Sequence, residues 1–276
     1  MRACTIPRMT TLTHFATLLA RRTREADRIV YTLAEDWQQG RTTYGGLVAA
    51  LATQALRDVT GSDWPLRALQ ASFIGPVSGA MQVDVQLLRQ GRHVRQVQAT
   101  VHCNGEVAAV FLGVFGNARE TGVARLMPAR PAVAHEPETA RELPFIPGIA
   151  PNFIQHLQPR WAEGDLPYSG GSGWSTRIHV RLRQPEGIDA ELLTVLLADM
   201  PPSPAVSHFK KPAPASSVSW ELELLPIGAA VDPLGWWRAD TDAISAADGY
   251  VNQRTTLWAP DGSLAALGYQ VAAVYA

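Results

Sequence analysis

Hydrophobic positions fall into two sets of the same kind along the chain. Tyr44-Gly45-Gly46 opens the first, followed by Leu47-Val48-Ala49-Ala50-Leu51-Ala52-Thr53-Gln54-Ala55-Leu56. That run is rich in Ala and Leu, has no Pro or Gly inside and is too long for a typical strand, so it predicts a buried helix. Four strands are predicted after it. Leu69 to Ile74 stops at Gly75-Pro76, and Met81 to Leu88 puts Val83, Val85 and Leu87 on one face. Arg92 to Cys103 alternates less cleanly through Val94, Val97 and Val101. Val107 to Phe115 is almost continuously apolar, as in a central strand. Asn104-Gly105 makes the hairpin turn between the last two.

The second half repeats that order. Ile188 to Met200 predicts an Ala/Leu/Val helix that Pro201-Pro202 cannot continue. Ser217 to Leu225 alternates through Val218, Trp220, Leu222 and Leu224 and stops at Pro226. Trp236 to Thr241 and Gly249 to Trp258 are further strands. Pro260-Asp261-Gly262 is the turn matching Asn104-Gly105, and Leu264 to Tyr275 closes the set. Arg28 to Leu33 and Arg177 to Leu182 each add a strand ahead of a helix. Five prolines between 118 and 150 mark a linker. The expected organisation is an N-terminal unit over 1–117 with 1–12 disordered, the linker over 118–150, and a C-terminal unit over 151–276. A long helix wrapped by a curved antiparallel sheet, occurring twice, is an α+β arrangement.

Composition narrows the function classes. The formal net charge is -1 over 276 residues, and the pI is about 6.7, which gives no bulk electrostatic footprint for nucleic acid. Two cysteines, Cys4 and Cys103, cannot form a disulfide framework. Cys103 lies in an apolar-alternating stretch and is expected to be a buried thiol in a reduced, cytoplasmic protein. No apolar run reaches the ~18 residues of a membrane helix, and the N-terminal region lacks a signal-peptide core.

Particular residues carry a resemblance. Tyr44-Gly45-Gly46 looks like the start of the central helix in acyl-CoA thioesterases. Ala190 to Met200, followed by Pro-Pro, resembles the second-half helix of that family, and Asp261-Gly262-Ser263-Leu264-Ala265-Ala266 with Gln270 resembles its last hairpin. Over residues 13–276 the chain is similar to the double-hotdog thioesterase-like superfamily that includes bacterial acyl-CoA thioesterase II. The order and spacing of short motifs carry that likeness. It implies two tandem hotdog folds related by pseudo-symmetry, and an acyl-CoA substrate split by an activated water. The implied site is an Asp on the second helix, a hydroxyl on a middle strand and a Gln on the last strand. Asp199 and Gln270 stand in the matching places. Thr241 is nearest for the hydroxyl, with Asp242 and Ser245 as the alternatives.

The residues themselves bear on these roles. Asp199 follows the apolar run Leu192 to Ala198 and opposes its own helix dipole, and a partly buried carboxylate makes a general base. Gln270 lies in an otherwise apolar strand, where an amide needs partners. The Gly45-Gly46 helix start offers N–H donors for an oxyanion, and equally a tight backbone contact. The same offset from Asn104-Gly105 in the first half gives Gly113, which suggests one site per chain. No G-x-S-x-G, phosphate-binding loop or metal-ligand spacing is present, so no cofactor or metal is expected. Lys210-Lys211 could meet a CoA phosphate, although a solvated loop is the better expectation. A homodimer or larger assembly is expected. The competing readings are a non-catalytic acyl-thioester-binding protein and a dehydratase or hydratase, whose motifs cannot be placed here.

Overall fold

The computed structural model describes residues 12–61, 63–227 and 231–275. The disorder expected for 1–12 thus lies, but for residue 12, outside the described residues. The first half carries α1 (Phe15–Ala20), β1 (Thr23–Glu25), β2 (Arg28–Thr32), β3 (Gln38–Gln39), β4 (Thr42–Thr43), α2 (Gly45–Thr60), β5 (Leu66–Phe73), β6 (Ala80–Gln90), β7 (Val94–Cys103) and β8 (Glu106–Gly116). After β9 (Arg141–Glu142) come β10 (Arg160–Glu163), β11 (Ser175–Val180), α3 (Ala190–Ala198), β12 (Ala215–Leu224), β13 (Trp237–Ala247), β14 (Tyr250–Trp258) and β15 (Leu264–Val274).

Thirteen strands form one sheet in the order β1-β2-β6-β7-β8-β5-β12-β15-β14-β13-β11-β10-β9. Within it each half runs helix, then four antiparallel strands, as the hydrophobic pattern predicts. The halves meet where β5 pairs with β12, from Ala68↔Glu223 to Ser72↔Ser219. The two long helices lie against each other, α2 over β6, β7 and β8, and α3 over β14 and β15. They run antiparallel: the start of α2 meets the end of α3, and Arg57 near the end of α2 bonds Glu191 at the start of α3. Gly61, at φ 56°, ends α2 in the left-handed conformation that glycine adopts without strain.

The core lies between helices and sheet. Leu47, Leu51 and Leu56 of α2 are completely buried, and burying each such side chain contributes roughly 1.5–3 kcal/mol. Cys103 is buried as expected, with no disulfide. Residues 118–140 have no regular structure, but the segment is not a free tether. His179 Nε2 bonds the carbonyl of His135, and β9 pairs with β10. No helix among the described residues is long and apolar enough to cross a membrane.

Two strands depart from the expected pattern. β13 continues past Thr241 to Ala247, through Ala243-Ile244-Ser245, where an irregular register breaks the alternation. In β12, Ser217 pairs with Ala272 and Ser219 with Val271, so Val218 is an extra residue. This bulge turns Val218 outward, at 41% exposure, where simple alternation placed it inward.

Candidate active site

Asp199 closes α3. Asp189 starts that helix by accepting the Glu191 N–H at 2.8 Å, the seven residues Leu192 to Ala198 are all buried, and the chain then turns at Pro201-Pro202. The helix therefore delivers a carboxylate deep into the molecule at its own negative end. The neighbouring helix supplies the compensation. The start of α2 abuts Asp199, and the Gly46 backbone N–H donates to its carboxylate.

Both glycines are required by this approach. A Cβ at Gly45 would sit 2.8 Å from Asp199 Oδ2. One at Gly46 would meet the Tyr44 ring at 2.5 Å and the Leu196 carbonyl at 2.6 Å. Tyr44, just ahead of them, donates its buried hydroxyl to that Leu196 carbonyl, one of those left orphaned at the end of α3. Its ring stacks on Phe153 at 4.0 Å. The Gly45-Gly46 pair is thus a close-packed backbone wall beside the carboxylate, and one of its N–H groups is already bound there.

The sheet brings amides to the other side. Gln270 on β15 donates from Nε2 to Asp199 Oδ1 at 2.9 Å and to Ser217 Oγ at 2.7 Å. Its Oε1 accepts from Gln253 Nε2 at 2.7 Å. Gln253 and Gln270 are directly opposite in the β14–β15 register. Ser217 reaches the group because the bulge at Val218 shifts the phase of β12. Burial pushes the Asp199 carboxyl up to about 7, while the bonds from Gln270 and the Gly46 N–H pull the other way. Asp199 nevertheless keeps partial solvent access, so water can reach a carboxylate poised near neutrality.

The structure thus brings Asp199, Gln270, Gly45 and Gly46 together, but not Thr241. That residue is completely buried, and its hydroxyl bonds Thr255 at 3.0 Å. Thr255 pairs with Gly268, one inward-facing row away from Gln270. Asp242 faces the other way, where its ion pairs with Arg177 at 2.9 Å and Arg254 at 3.4 Å lie. Burial of Asp242 is outweighed by bonds from Ser175 and Arg177, which hold its carboxyl below the usual range. Ser245 is exposed and bonds Asn252 at 3.0 Å. Ser217 and Gln253 are the members that sequence reasoning missed. The Ser217 signal was hidden by the bulge. Gln253 sits in the polar run Asn252-Gln253-Arg254-Thr255-Thr256, which does not show which residue turns inward. His208 bonds the Gly173 carbonyl at 3.1 Å and packs on Trp174, while Lys210 and Lys211 are exposed beyond it.

Residues 33–116 match the acyl-CoA thioesterase N-terminal domain, and residues 134–274 match the acyl-CoA thioesterase C-terminal domain. No curated protein matches in sequence. Among solved structures, a conserved protein of unknown function with a hot dog fold from Alicyclobacillus acidocaldarius superposes with a TM-score of 0.80 at 20% identity, covering 96% of this chain and 99% of that one. Acyl-CoA thioesterase II TesB2 from Mycobacterium marinum gives 0.74 at 17% identity, over 95% and 98% of the two chains. The dehydratase domain of RzxB from Pseudomonas fluorescens gives 0.54 at 12% identity, over 94% and 99%. These likenesses show the hotdog fold. A dehydratase shares it, so the side chains must decide the chemistry.

Proposed function

Because this chain belongs to the acyl-CoA thioesterase family, we propose that it hydrolyses acyl-CoA to a free carboxylic acid and CoA, with Asp199 as the general base. The observation that carries this reading is the Asp199–Gln270–Ser217 cluster: a largely buried carboxylate near neutrality, held by an amide that also bonds a hydroxyl. Asp199 takes a proton from a water whose oxygen attacks the thioester carbonyl carbon. The tetrahedral intermediate then collapses, the C–S bond breaks, and the leaving thiolate takes the proton back from Asp199. One water is consumed and Asp199 is restored.

The other members have separate tasks. Gln270 spends both Nε2 hydrogens on Asp199 and Ser217, so Ser217 accepts there and keeps its own O–H to donate toward the water or the carbonyl oxygen. Ser217 therefore takes the hydroxyl role for which Thr241 was nearest in sequence. Gly46 is committed to Asp199, which leaves the Gly45 end of the helix start as the donor for the developing oxyanion.

We read the sheet as two hotdog units related by pseudo-symmetry. The order β2-β6-β7-β8-β5 is mirrored across the β5–β12 joint by β11-β13-β14-β15-β12. Gly113 is then the counterpart of Gln270, each eight residues past its turn glycine. A Cβ at Gly113 would lie 2.7 Å from Leu56 Cδ1, so leucine fills the place where a second cluster would stand. This supports one site per chain. Tyr269 on the outer face of β15 is 51% exposed and Val107 on β8 is 40% exposed. Such apolar exposure on central strands supports self-association through that face, which light scattering after gel filtration would test. The buried free thiol of Cys103 suits a reducing, cytoplasmic compartment.

The test is thiol release from short, medium and long acyl-CoAs by wild type and by Asp199→Asn. Saturable release by wild type, falling at least ~10²-fold in the variant, is the expected result. Binding without release from any acyl-CoA would favour a non-catalytic acyl-thioester-binding protein instead.

A further inference from the structure

We propose that Gln253 is a positioning residue of this site, whose side-chain amide caps the oxygen end of Gln270 and so holds its nitrogen toward Asp199. The inference rests on the reading of Asp199 and Gln270 as the reacting cluster.

Donors and acceptors fix how the three side chains face one another. An ionised carboxylate only accepts hydrogen bonds. Asp199 therefore demands the nitrogen end of Gln270, and that nitrogen is 2.9 Å from Oδ1. The same nitrogen serves Ser217 at 2.7 Å. The Gln270 oxygen must then point away, and it meets Gln253 Nε2 at 2.7 Å. The direction of the whole chain is forced, with Gln253 donating to Gln270 and Gln270 donating to Asp199.

The two ends of an amide have nearly the same shape, so packing cannot tell them apart. If Gln270 turned over, its oxygen would face the carboxylate and its nitrogen would face Gln253. The Gln253 nitrogen satisfies the Gln270 oxygen on the sheet side and so holds the arrangement in which Asp199 receives the nitrogen. Among the side-chain hydrogen bonds of the described residues, the one from Gln253 is the bond that holds the Gln270 oxygen.

A second observation separates this from ordinary core packing. Gln253 is only 4% exposed, and its own Oε1 takes no hydrogen bond from any described residue. A buried acceptor without a protein donor is costly, and a residue that served only to fill space would be apolar there. Its neighbour across β13 is Ala243, which offers no side-chain donor. The glutamine is kept with one end unpaired by protein because the other end orients Gln270.

The experiment is steady-state hydrolysis of a good acyl-CoA substrate across pH by Gln253→Leu, which keeps the bulk and removes the donor. Wild type, Asp199→Asn and Gln270→Leu are run beside it, with thermal unfolding as the check on folding. The expected result is a kcat lowered about 10- to 100-fold, as for a small misplacement of reacting groups, with KM nearly unchanged. The acid limb of the profile should also move to higher pH, because Asp199 loses a bond that favours its ionised form. Tyr44, which lies against the carboxylate from α2, is fully buried and pushed far above its ordinary range, so it stays neutral and does not contribute a limb. If Gln253→Leu does not fold, Gln253→Met is the second variant, with the same expectation. Unchanged kcat and an unmoved acid limb in a folded Gln253 variant, with Asp199→Asn and Gln270→Leu impaired, would overturn the proposal and leave the site standing. Full turnover in Asp199→Asn would overturn both.

Discussion

At the scale of single residues, Asp199 sets function against stability. Its folded-state pKa, about 7, lies above the ordinary aspartate value, so between those values the folded protein holds a proton that the unfolded chain has lost. Stability from this group is therefore full at low pH and is lost as pH rises through about 7. Asn cannot ionise and keeps one carbonyl oxygen as an acceptor in that place. Asp199→Asn should then be more stable than wild type at pH 8, by roughly 1–4 kcal/mol at 1.36 kcal/mol per pKa unit. The difference should vanish near pH 4, and urea unfolding at the two pH values checks this. A variant that is equally stable or weaker at pH 8 would contradict the buried carboxylate. Asp199 and Gln270 were legible in the sequence because each is a polar residue in an apolar run. Gln253 was not, since its role exists only through a partner seventeen positions away, across a register that no local pattern displays.

At the scale of elements, the bulge at Val218 decides which face of β12 Ser217 takes. If Val218 took a place in plain alternation it would face inward, and Ser217 would point away from Gln270. Deleting Val218 should close the bulge but leave Ser217 opposite Ala272 on the inner face and so spare kcat, which Ser217→Ala should lower, while the isosteric change Thr241→Val should cost about 1 kcal/mol of stability through its Thr255 partner and leave kcat near wild type. A loss of turnover confined to Ser217→Ala, with the Val218 deletion and Thr241→Val near wild type, identifies the hydroxyl. Loss of turnover in Thr241→Val with normal Ser217→Ala would reverse the assignment. The helices and the long strands were readable from periodicity and turns, since their apolar faces are long and their stops are Pro or Gly. The bulge was not readable, because Ser217-Val218-Ser219-Trp220 fits perfect alternation as well as it fits a phase shift. The end of β13 was hidden for a related reason, as its Asp, Ala and Ser residues carry little hydrophobic contrast.

At the scale of the whole molecule, the site exists because two halves are locked together. Asp199 and the amides belong to the second half, and the glycine wall belongs to the first. Contacts that make the lock include the β5–β12 pairing, the Tyr44 hydroxyl on Leu196, and the bond between Arg57 and Glu191 at the far end of the helix pair. Glu191 also accepts the Leu66 N–H at 2.8 Å. Glu191→Ala should cost about 1–3 kcal/mol by leaving those donors without it, seen as a lower urea midpoint, with KM unchanged because the bond is remote from Asp199. An altered KM at unchanged stability would show that this end of the helices belongs to the substrate path. The repeat of a helix and four strands was visible in sequence, whereas the joining of both sets into one sheet through β5 and β12 was not, because strand partners are chosen in space. The central claim is that Asp199 is the base, and the pH dependence of kcat/KM for acyl-CoA hydrolysis tests it most directly. A rising limb centred near pH 7, absent from the residual rate of Asp199→Asn, is the predicted result. A flat profile through that range, or the same limb persisting in Asp199→Asn, would contradict it.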